Sequence, residues 1–312
     1  MTNIAHWLHP CLQQVQALKQ AKALSHALLI TGADGVGQEE LAREMVKDLM
    51  CESDQAAACG VCHSCQLMRA DTHPDFRVLD GETSSIKVDQ IRLLVRQISQ
   101  KPQVGQNKVV LITHAQAMNI NAANAVLKAL EEPADRTYFV LTSSQSTSLL
   151  PTIRSRCLLV NVPTPSIEQV KQWLTEDSEG EVLSGLFWLT TEPFRLRSIQ
   201  QQGKIQLYAD LPDQLSLMLQ GSISVNVVLK GLDNSNVEDY CNGLAAILHQ
   251  CICHSTGAPI DKALQDVYDR LIARLGIQAM MTRYQTIQNL KSDLQKTNLN
   301  PIMQLTHELN QW

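Results

Sequence analysis

Residues 26–39 read HALLITGADGVGQE, a short apolar run followed by a loop with three glycines and the start of a helical pattern. A strand, a glycine-rich loop and a helix in this order are typical of a phosphate-binding loop, whose pattern is G-x-x-x-x-G-K-[ST]. Gly32, Gly35 and Gly37 keep the glycines, but Gln38 stands where the pattern needs lysine and Glu39 where it needs a hydroxyl. The stretch predicts the fold of a nucleotide-binding module whose ATP site is degenerate.

The residues that would hold Mg²⁺ in an ATP site test this interpretation. In a working loop the lysine neutralises phosphate charge, the hydroxyl binds Mg²⁺, and acidic residues at the end of a neighbouring buried strand hold the metal. The candidate strand, KVVLIT at 108–113, ends at Thr113 and is followed by His114. All four positions depart from an ATP site in the same direction, which favours a module that does not bind ATP productively. The alternative is that the glycines form a coincidental turn.

The first 162 residues alternate short apolar runs with helical patterns, which predicts a parallel sheet with crossover helices. We expect strands near 26–30, 76–80, 108–113, 138–144 and 158–162, and helices near 7–24, 38–51, 86–100 and 121–133, with a short helical segment at 152–157. Pro163 and Pro165 then mark a boundary. We expect a domain over 1–162, a small helical domain over 163–205 and an all-helical domain over 206–312.

Four cysteines cluster between the first helix pattern after the loop and the second strand: Cys51, Cys59, Cys62 and Cys65. Four thiolates fit tetrahedral Zn²⁺ and leave no open position, so the module at 51–65 predicts a structural zinc site. His63 is a competing donor, and an iron–sulfur cluster is the alternative metal centre. The HPD triplet at 73–75 follows, without a chemical role that its sequence predicts.

Composition narrows the class of protein. The chain has 312 residues and a net charge of −5, so no overall basic field attracts it to nucleic acid. The sequence contains no apolar run long enough for a membrane span and no signal-peptide pattern at its start. We expect a cytoplasmic protein.

Several motifs together carry a family resemblance. KVVLITHAQAMN, NAANAVLKALEEP, YFVLTSS and IRSRC resemble the ATPase module of the bacterial clamp-loader AAA+ family, and CGVCHSCQLMRADTHPDF is similar to the zinc module of that family. The resemblance implies an AAA+ phosphate-loop module with an inserted zinc module, a helical lid domain and a C-terminal collar domain. It also implies a subunit type without intrinsic ATPase activity, because Gln38, Glu39, Thr113 and His114 replace the reacting groups.

The resemblance further implies a role for the SRC segment, Ser155-Arg156-Cys157. In the family this arginine enters the ATP site of the adjacent subunit, so Arg156 is expected to act as an arginine finger in trans; Arg154 is the nearby arginine that could be confused with it. The implied partners are the clamp-loader ATPase subunits gamma and tau, the delta subunit, the sliding clamp and primed DNA.

Two other functions compete with the non-hydrolysing subunit. One is a weakly active ATPase of the gamma and tau type that uses Gln38 in an unusual way. The other is a zinc-containing protein that binds nucleic acid alone, although the net charge of −5 disfavours it, because such binding depends on counterion release.

Overall fold

The structure, a computed structural model, describes residues 4–82, 84–144, 147, 149–175, 183–294 and 300–312. The chain divides into two compact units, Met1–Gln169 and Val170–Trp312, which are described separately. The finer division into three domains, with boundaries after residues 162 and 205, stays a prediction.

A parallel sheet of five strands organises the first unit. Its spatial order is β2-β3-β4-β1-β5, so the glycine loop follows a strand that lies between β4 and the edge strand β5. The strands are β1 (Ala27–Thr31), β2 (Phe76–Asp80), β3 (Lys108–Thr113), β4 (Thr137–Ser143) and β5 (Leu158–Asn161). The predicted parallel sheet is confirmed, and the bounds of β2 and β3 agree with the sequence pattern.

Helices cover both faces of this sheet, which is why every residue of β1 and β3 is buried. On one face α4 and α5 pack on alternate strand residues such as Leu29, Ile112 and Phe139; α2 contacts β3 and β4 and also packs on α1. The helices of the first unit are α1 (His9–Gln20), α2 (Gln38–Met50), α3 (His63–Arg69), α4 (Val88–Ile98), α5 (Ile120–Glu131) and α6 (Pro151–Arg154), and α7 (Ile167–Leu174) crosses the division between the units.

The helices of the first unit differ from the sequence pattern in two places. The pattern at 7–24 predicts one helix, but His6–Leu8 forms a 3₁₀ turn and α1 begins only at His9, with Pro10 in its first turn. The cysteine segment contains α3, which the sequence pattern does not predict. Its N-cap is Cys62, whose sulfur accepts a hydrogen bond from the backbone of Cys65.

The HPD triplet gains a structural role. The buried carboxylate of Asp75 accepts hydrogen bonds from three consecutive backbone N–H groups, those of Gln103 at 2.7 Å, Val104 at 2.9 Å and Gly105 at 3.2 Å. Asp75 therefore ties the start of β2 to the loop that leads into β3. His73 Nδ1 accepts from the backbone N–H of Asp75 at 3.1 Å, which orients the imidazole.

The second unit is helical throughout its described residues. The helices that lie wholly within it are α8 (Pro193–Gln201), α9 (Ile205–Leu219), α10 (Val225–Val228), α11 (Val237–Ser255), α12 (Gln265–Arg274), α13 (Gly276–Asp293) and α14 (Pro301–Leu309). Arg283 of α13 donates to Glu308 at 3.2 Å, and Glu308 accepts from the indole of the buried Trp312 at 3.3 Å. In the described part of the chain, no helix is both long and apolar enough to cross a membrane.

We predict that Asp75→Asn lowers the free energy of unfolding by about 3 kcal/mol, because a neutral amide replaces a buried carboxylate that accepts hydrogen bonds from three backbone N–H groups. The measurement is the urea midpoint followed by circular dichroism. Asp135→Asn, at an exposed position, is the matched control and leaves the midpoint unchanged. Equal midpoints for the two variants would contradict this role of Asp75.

Candidate functional site

The glycine loop, residues 32–37, joins the end of β1 to the start of α2. Gly35 and Gly37 have φ angles of 66° and 107°, a left-handed region that glycine adopts without a steric penalty. A Cβ on Gly32 would lie 3.1 Å from the Cβ of Val162. The turn from strand to helix therefore requires the glycines, whether or not a phosphate binds there.

Gln38, the first residue of α2, fills the interior of the glycine loop and is 2% exposed. Its Nε2 donates to the carbonyl oxygens of Gly32 at 2.8 Å and Ala33 at 2.5 Å. Among the described residues its Oε1 is buried without a hydrogen-bond partner. A neutral amide thus lies where the motif places an ammonium group, and its N–H groups donate to carbonyl oxygens of the loop itself.

An indole also holds the loop. The buried Trp7 donates from Nε1 to the carbonyl oxygen of Val36 at 2.8 Å. This contact spans 29 positions in sequence, so no local motif predicts it. The segment before α1 therefore helps to set the conformation of the glycine loop.

Five polar residues lie together where β2, β3 and β4 end and α2 begins; we call them the strand-end cluster: Glu39, Asp80, Thr113, His114 and Thr142. The hydroxyl of Thr113 donates to Asp80 Oδ1 at 2.7 Å and lowers the pKa of that carboxyl group. The hydroxyl of Thr142 donates to Glu39 Oε1 at 3.0 Å. Both carboxylates therefore have partners within the chain.

His114 lies between these two carboxylates. Its Nδ1 is 3.4 Å from Asp80 Oδ1, and its Nε2 is 3.8 Å from Glu39 Oε1. Its φ of 50° is left-handed, and its backbone N–H donates to the hydroxyl of Thr142 at 3.1 Å. An imidazole and two threonines thus surround carboxylates at the edge where an ATPase would bind Mg²⁺.

The sequence identified Glu39, Thr113 and His114 but missed Asp80 and Thr142. Asp80 is the last residue of the correctly predicted strand FRVLD. Only the pairing of β2 beside β3 brings its carboxylate to Thr113. The sequence does show Asp80 as a polar residue at the end of a strand. It does not show that this strand lies next to β3, so the contact with Thr113 could not be predicted.

Arg156 lies between α6 and β5, at the edge of the sheet where the strands begin. Its Nη2 is 2.5 Å from Glu131 Oε1, and its Nη1 donates to the carbonyl oxygen of Thr152 at 2.8 Å. Ser155 Oγ donates to the same carbonyl oxygen at 3.2 Å. Cys157 directly precedes β5, and burial raises its pKa to about 11, so its thiol is not activated.

Two arginines of the second unit have partners inside that unit. The guanidinium of Arg197 stacks over the ring of Trp173 at 3.6 Å from its centre. Arg195 Nη1 lies 3.8 Å from a carboxylate oxygen of Glu192. The sequence pattern assigned neither arginine a role, and these contacts are a packing interaction and a surface ion pair.

The four cysteine sulfurs predicted as metal ligands meet in space. Cys51, Cys59, Cys62 and Cys65 present sulfur atoms that all lie within 4.8 Å of one another, and those of Cys51 and Cys62 are 3.9 Å apart. Bonds of ~2.3 Å to a tetrahedral ion place sulfurs about 3.8 Å apart. The cluster therefore fits one tetrahedral metal ion, and His63, which is exposed, is not part of it.

Backbone groups prepare some of these sulfurs for a metal. Hydrogen bonds from the N–H groups of Val61 and Cys62 lower the pKa of Cys59 to about 6. Burial raises the pKa of Cys65 to about 12, so this thiol would lose its proton on binding the metal. The N–H···S contacts of Cys62 to Cys59 and of Cys65 to Cys62 measure 3.3 and 3.4 Å.

A hydrogen-bonded path joins the cysteine module to the sheet. The backbone N–H of Ser64 donates to Glu52 at 2.8 Å, and the hydroxyl of Ser64 lies 3.1 Å from His73 Nε2. Burial lowers the pKa of His73, which favours the neutral ring. Because Nδ1 accepts from Asp75, the proton of the neutral ring lies on Nε2 and points at Ser64.

Together the fold and the site define a class: a parallel α/β module whose glycine loop is filled by its own Gln38, joined to a cluster of four cysteines that could hold a metal ion. A family model described as "DNA polymerase III, delta subunit" matches residues 8–166. The chain is 33% identical to DNA polymerase III subunit delta' of Pseudomonas aeruginosa, over 100% of this chain and 98% of that protein.

Two further relatives extend the comparison. DNA polymerase III subunit delta' of Haemophilus influenzae is 30% identical over 96% of this chain and 93% of that protein. The tau subunit of Escherichia coli is 30% identical over 66% of this chain and 31% of that protein. The chain belongs to the DNA polymerase III delta' subunit family.

We predict that the purified chain holds one metal ion per molecule and that Cys59→Ser or Cys62→Ser loses it, because three sulfurs no longer close a tetrahedral shell. Elemental analysis after gel filtration measures the metal content. Cys253→Ser, which changes a cysteine outside the cluster, is the control and keeps the metal. Full metal content in both cluster variants would show that these sulfurs are not the ligands.

Proposed function

We propose that this chain is a non-hydrolysing subunit of the DNA polymerase III clamp loader, which places a ring-shaped sliding clamp on primed DNA. In this proposal Arg156 enters the ATP site of a neighbouring subunit. Membership of the delta' family supports the complex. The role of Arg156 as a finger is supported by its position. It lies at the edge of the sheet where the strands begin, and the chain's own glycine loop lies at the opposite edge, where the strands end.

Parallel strands place their carboxyl ends at one edge and their amino ends at the other. The glycine loop follows β1, whereas Arg156 precedes β5, which pairs with β1 from Leu28 onward. The five residues of β1 span about 16 Å, at roughly 3.3 Å per residue. Arg156 therefore lies too far from its own loop to act there, and a phosphate that it contacts belongs to another chain.

The chain's own site supports the absence of hydrolysis. Catalysis of phosphoryl transfer relies on cations and Mg²⁺ around the transferring group. Gln38 supplies an uncharged amide with an unsatisfied oxygen in the loop, and Glu39 adds a carboxylate. Both features repel phosphate oxygens, so ATP is not bound productively.

We propose that the metal of the cysteine cluster is zinc in a structural role. Four sulfurs close the tetrahedral shell, so no position is left for a reacting water. Cys51 and Cys65 are buried at the base of the module, next to α2 and α3. The ion would hold together a segment with few apolar residues of its own.

We further propose that gamma or tau subunits and the delta subunit are the direct partners, and that the complex acts in the cytoplasm. The sliding clamp and primed DNA are reached through the assembly. Residues 163–205 would form a lid domain and residues 206–312 the collar domain that joins the subunits. Beyond β5, the regular elements of the described residues are all helices, which supports this division.

The proposal predicts that Arg156→Ala, in an assembled complex with clamp and primed DNA, lowers ATP turnover at the site served by the finger. Trans arginine fingers contribute about 10³–10⁵ in rate. The measurement is ATP hydrolysis by complexes matched by gel filtration. Arg154→Ala, at an exposed arginine of α6, is the matched control and retains turnover. Unchanged turnover in an intact Arg156→Ala complex would leave the chain an architectural role only.

A second prediction separates this proposal from a weakly active ATPase. ATP with Mg²⁺ should not raise the melting temperature of the isolated chain, whereas a ligand at 100 times its Kd adds about 2.7 kcal/mol. The partner ATPase subunit, which should show an upward shift, is the positive control. A shift in this chain that Gln38→Ala abolishes would favour the active-ATPase alternative.

A further inference from the structure

Arg156 is held by an ion pair with Glu131. The Nη2–Oε1 distance is 2.5 Å, and the side chains are 34% and 48% exposed, respectively. Glu131 is the last residue of α5, so two separate elements converge on one guanidinium. The pair lies at the amino edge of the sheet, away from the strand-end cluster.

Helix stability does not explain a carboxylate at this place. The carboxyl end of a helix carries partial negative charge, which disfavours acidic residues. Glu131 is nevertheless followed by a second acid, Glu132, at the C-cap of α5. A partly exposed ion pair contributes only about 0–1 kcal/mol to folding. The geometry that the pair imposes on Arg156 is therefore its main consequence.

The contacts of Arg156 restrict one side of the guanidinium. Nη1 donates to Thr152 O at 2.8 Å and lies 3.4 Å from Ser155 Oγ, and one Nη2 hydrogen faces Glu131. Because a guanidinium has five N–H donors, Nε–H and the second Nη2 hydrogen have no partner among the described residues. These two donors form a fork that matches two oxygens of a phosphoryl group.

We infer that Glu131 is a positioning residue: with Thr152 O, it orients Arg156 so that the Nε and Nη2 fork faces a phosphoryl group of a neighbouring subunit. This inference rests on the proposed role of Arg156 as a finger in trans. Glu131 itself does not touch the nucleotide. The ion pair with Glu131 reduces the number of rotamers that the Arg156 side chain can adopt, so the arginine is oriented before the transition state forms.

The test uses complete complexes reconstituted with Glu131→Ala, Glu131→Gln, Arg156→Ala or the double variant Glu131→Ala/Arg156→Ala. The kcat and KM for ATP are measured with clamp and primed DNA. We expect Glu131→Ala to lower kcat about 10-fold with KM nearly unchanged, because small misplacements of a catalytic group are costly. Glu131→Gln keeps an oxygen acceptor and recovers most of the loss.

Glu132→Ala is the matched control, because this neighbouring exposed acid makes no ion pair among the described residues. Its complex should have the wild-type kcat. The double variant should be no slower than Arg156→Ala alone, because Glu131 acts only through the arginine.

The outcomes separate this inference from the proposed function. If Arg156→Ala is slow while Glu131→Ala matches wild type, Glu131 does not position the finger, although the finger itself stands. A faster Glu131→Ala complex, or an added loss in the double variant, would also overturn the inference. If Arg156→Ala has full turnover, both the proposed finger and its positioning residue are wrong.

Discussion

The burial of a parallel sheet on both faces is the constraint on which the arrangement of this module depends. With β1 and β3 wholly buried, polar groups can gather only at the two edges where strands end or begin. The glycine loop and the strand-end cluster lie at the carboxyl edge. Glu131 and Arg156 lie at the amino edge. The two groups of polar residues are therefore separated by the length of a helix or a strand. They pack on the same hydrophobic core but do not form one site.

At the carboxyl edge the polar groups pair with one another and with the backbone of the loop. Gln38 donates to the carbonyls of its own loop, and His114 and Thr142 approach Glu39. A buried polar group that lacks a partner is costly, so these internal contacts stabilise the edge. Among the residues described, Gln38 Oε1 and His114 Nδ1 are buried at this edge without a hydrogen-bond partner, and His114 Nδ1 lies 3.4 Å from Asp80 Oδ1.

Periodicity predicted the elements of the first unit because its strands are long apolar runs between helices of clear spacing. The glycine-loop motif identified Gln38 and Glu39 as candidate site residues, and the cysteine spacing identified the four cysteines, since both patterns are local. These patterns did not predict Asp75, Asp80 or Glu131. Their partners are 28–30, 33 and 25 positions away, and charge alone does not show whether an acid is solvated or paired. The helix α3 was missed because cysteine ligand spacing hid its short helical pattern.

The polar contacts at the two edges of the sheet involve different residues. Substitutions at residues 38, 39 and 114 would alter side chains that, in the described part of the chain, contact the glycine loop, one another and the ends of β2, β3 and β4. They leave the helix end at Glu131 and the turn at Thr152, on which the orientation of Arg156 depends, without a changed contact. The contacts at the carboxyl ends of the strands and the contacts that hold Arg156 are therefore separate, and a change in one set does not by itself alter the other.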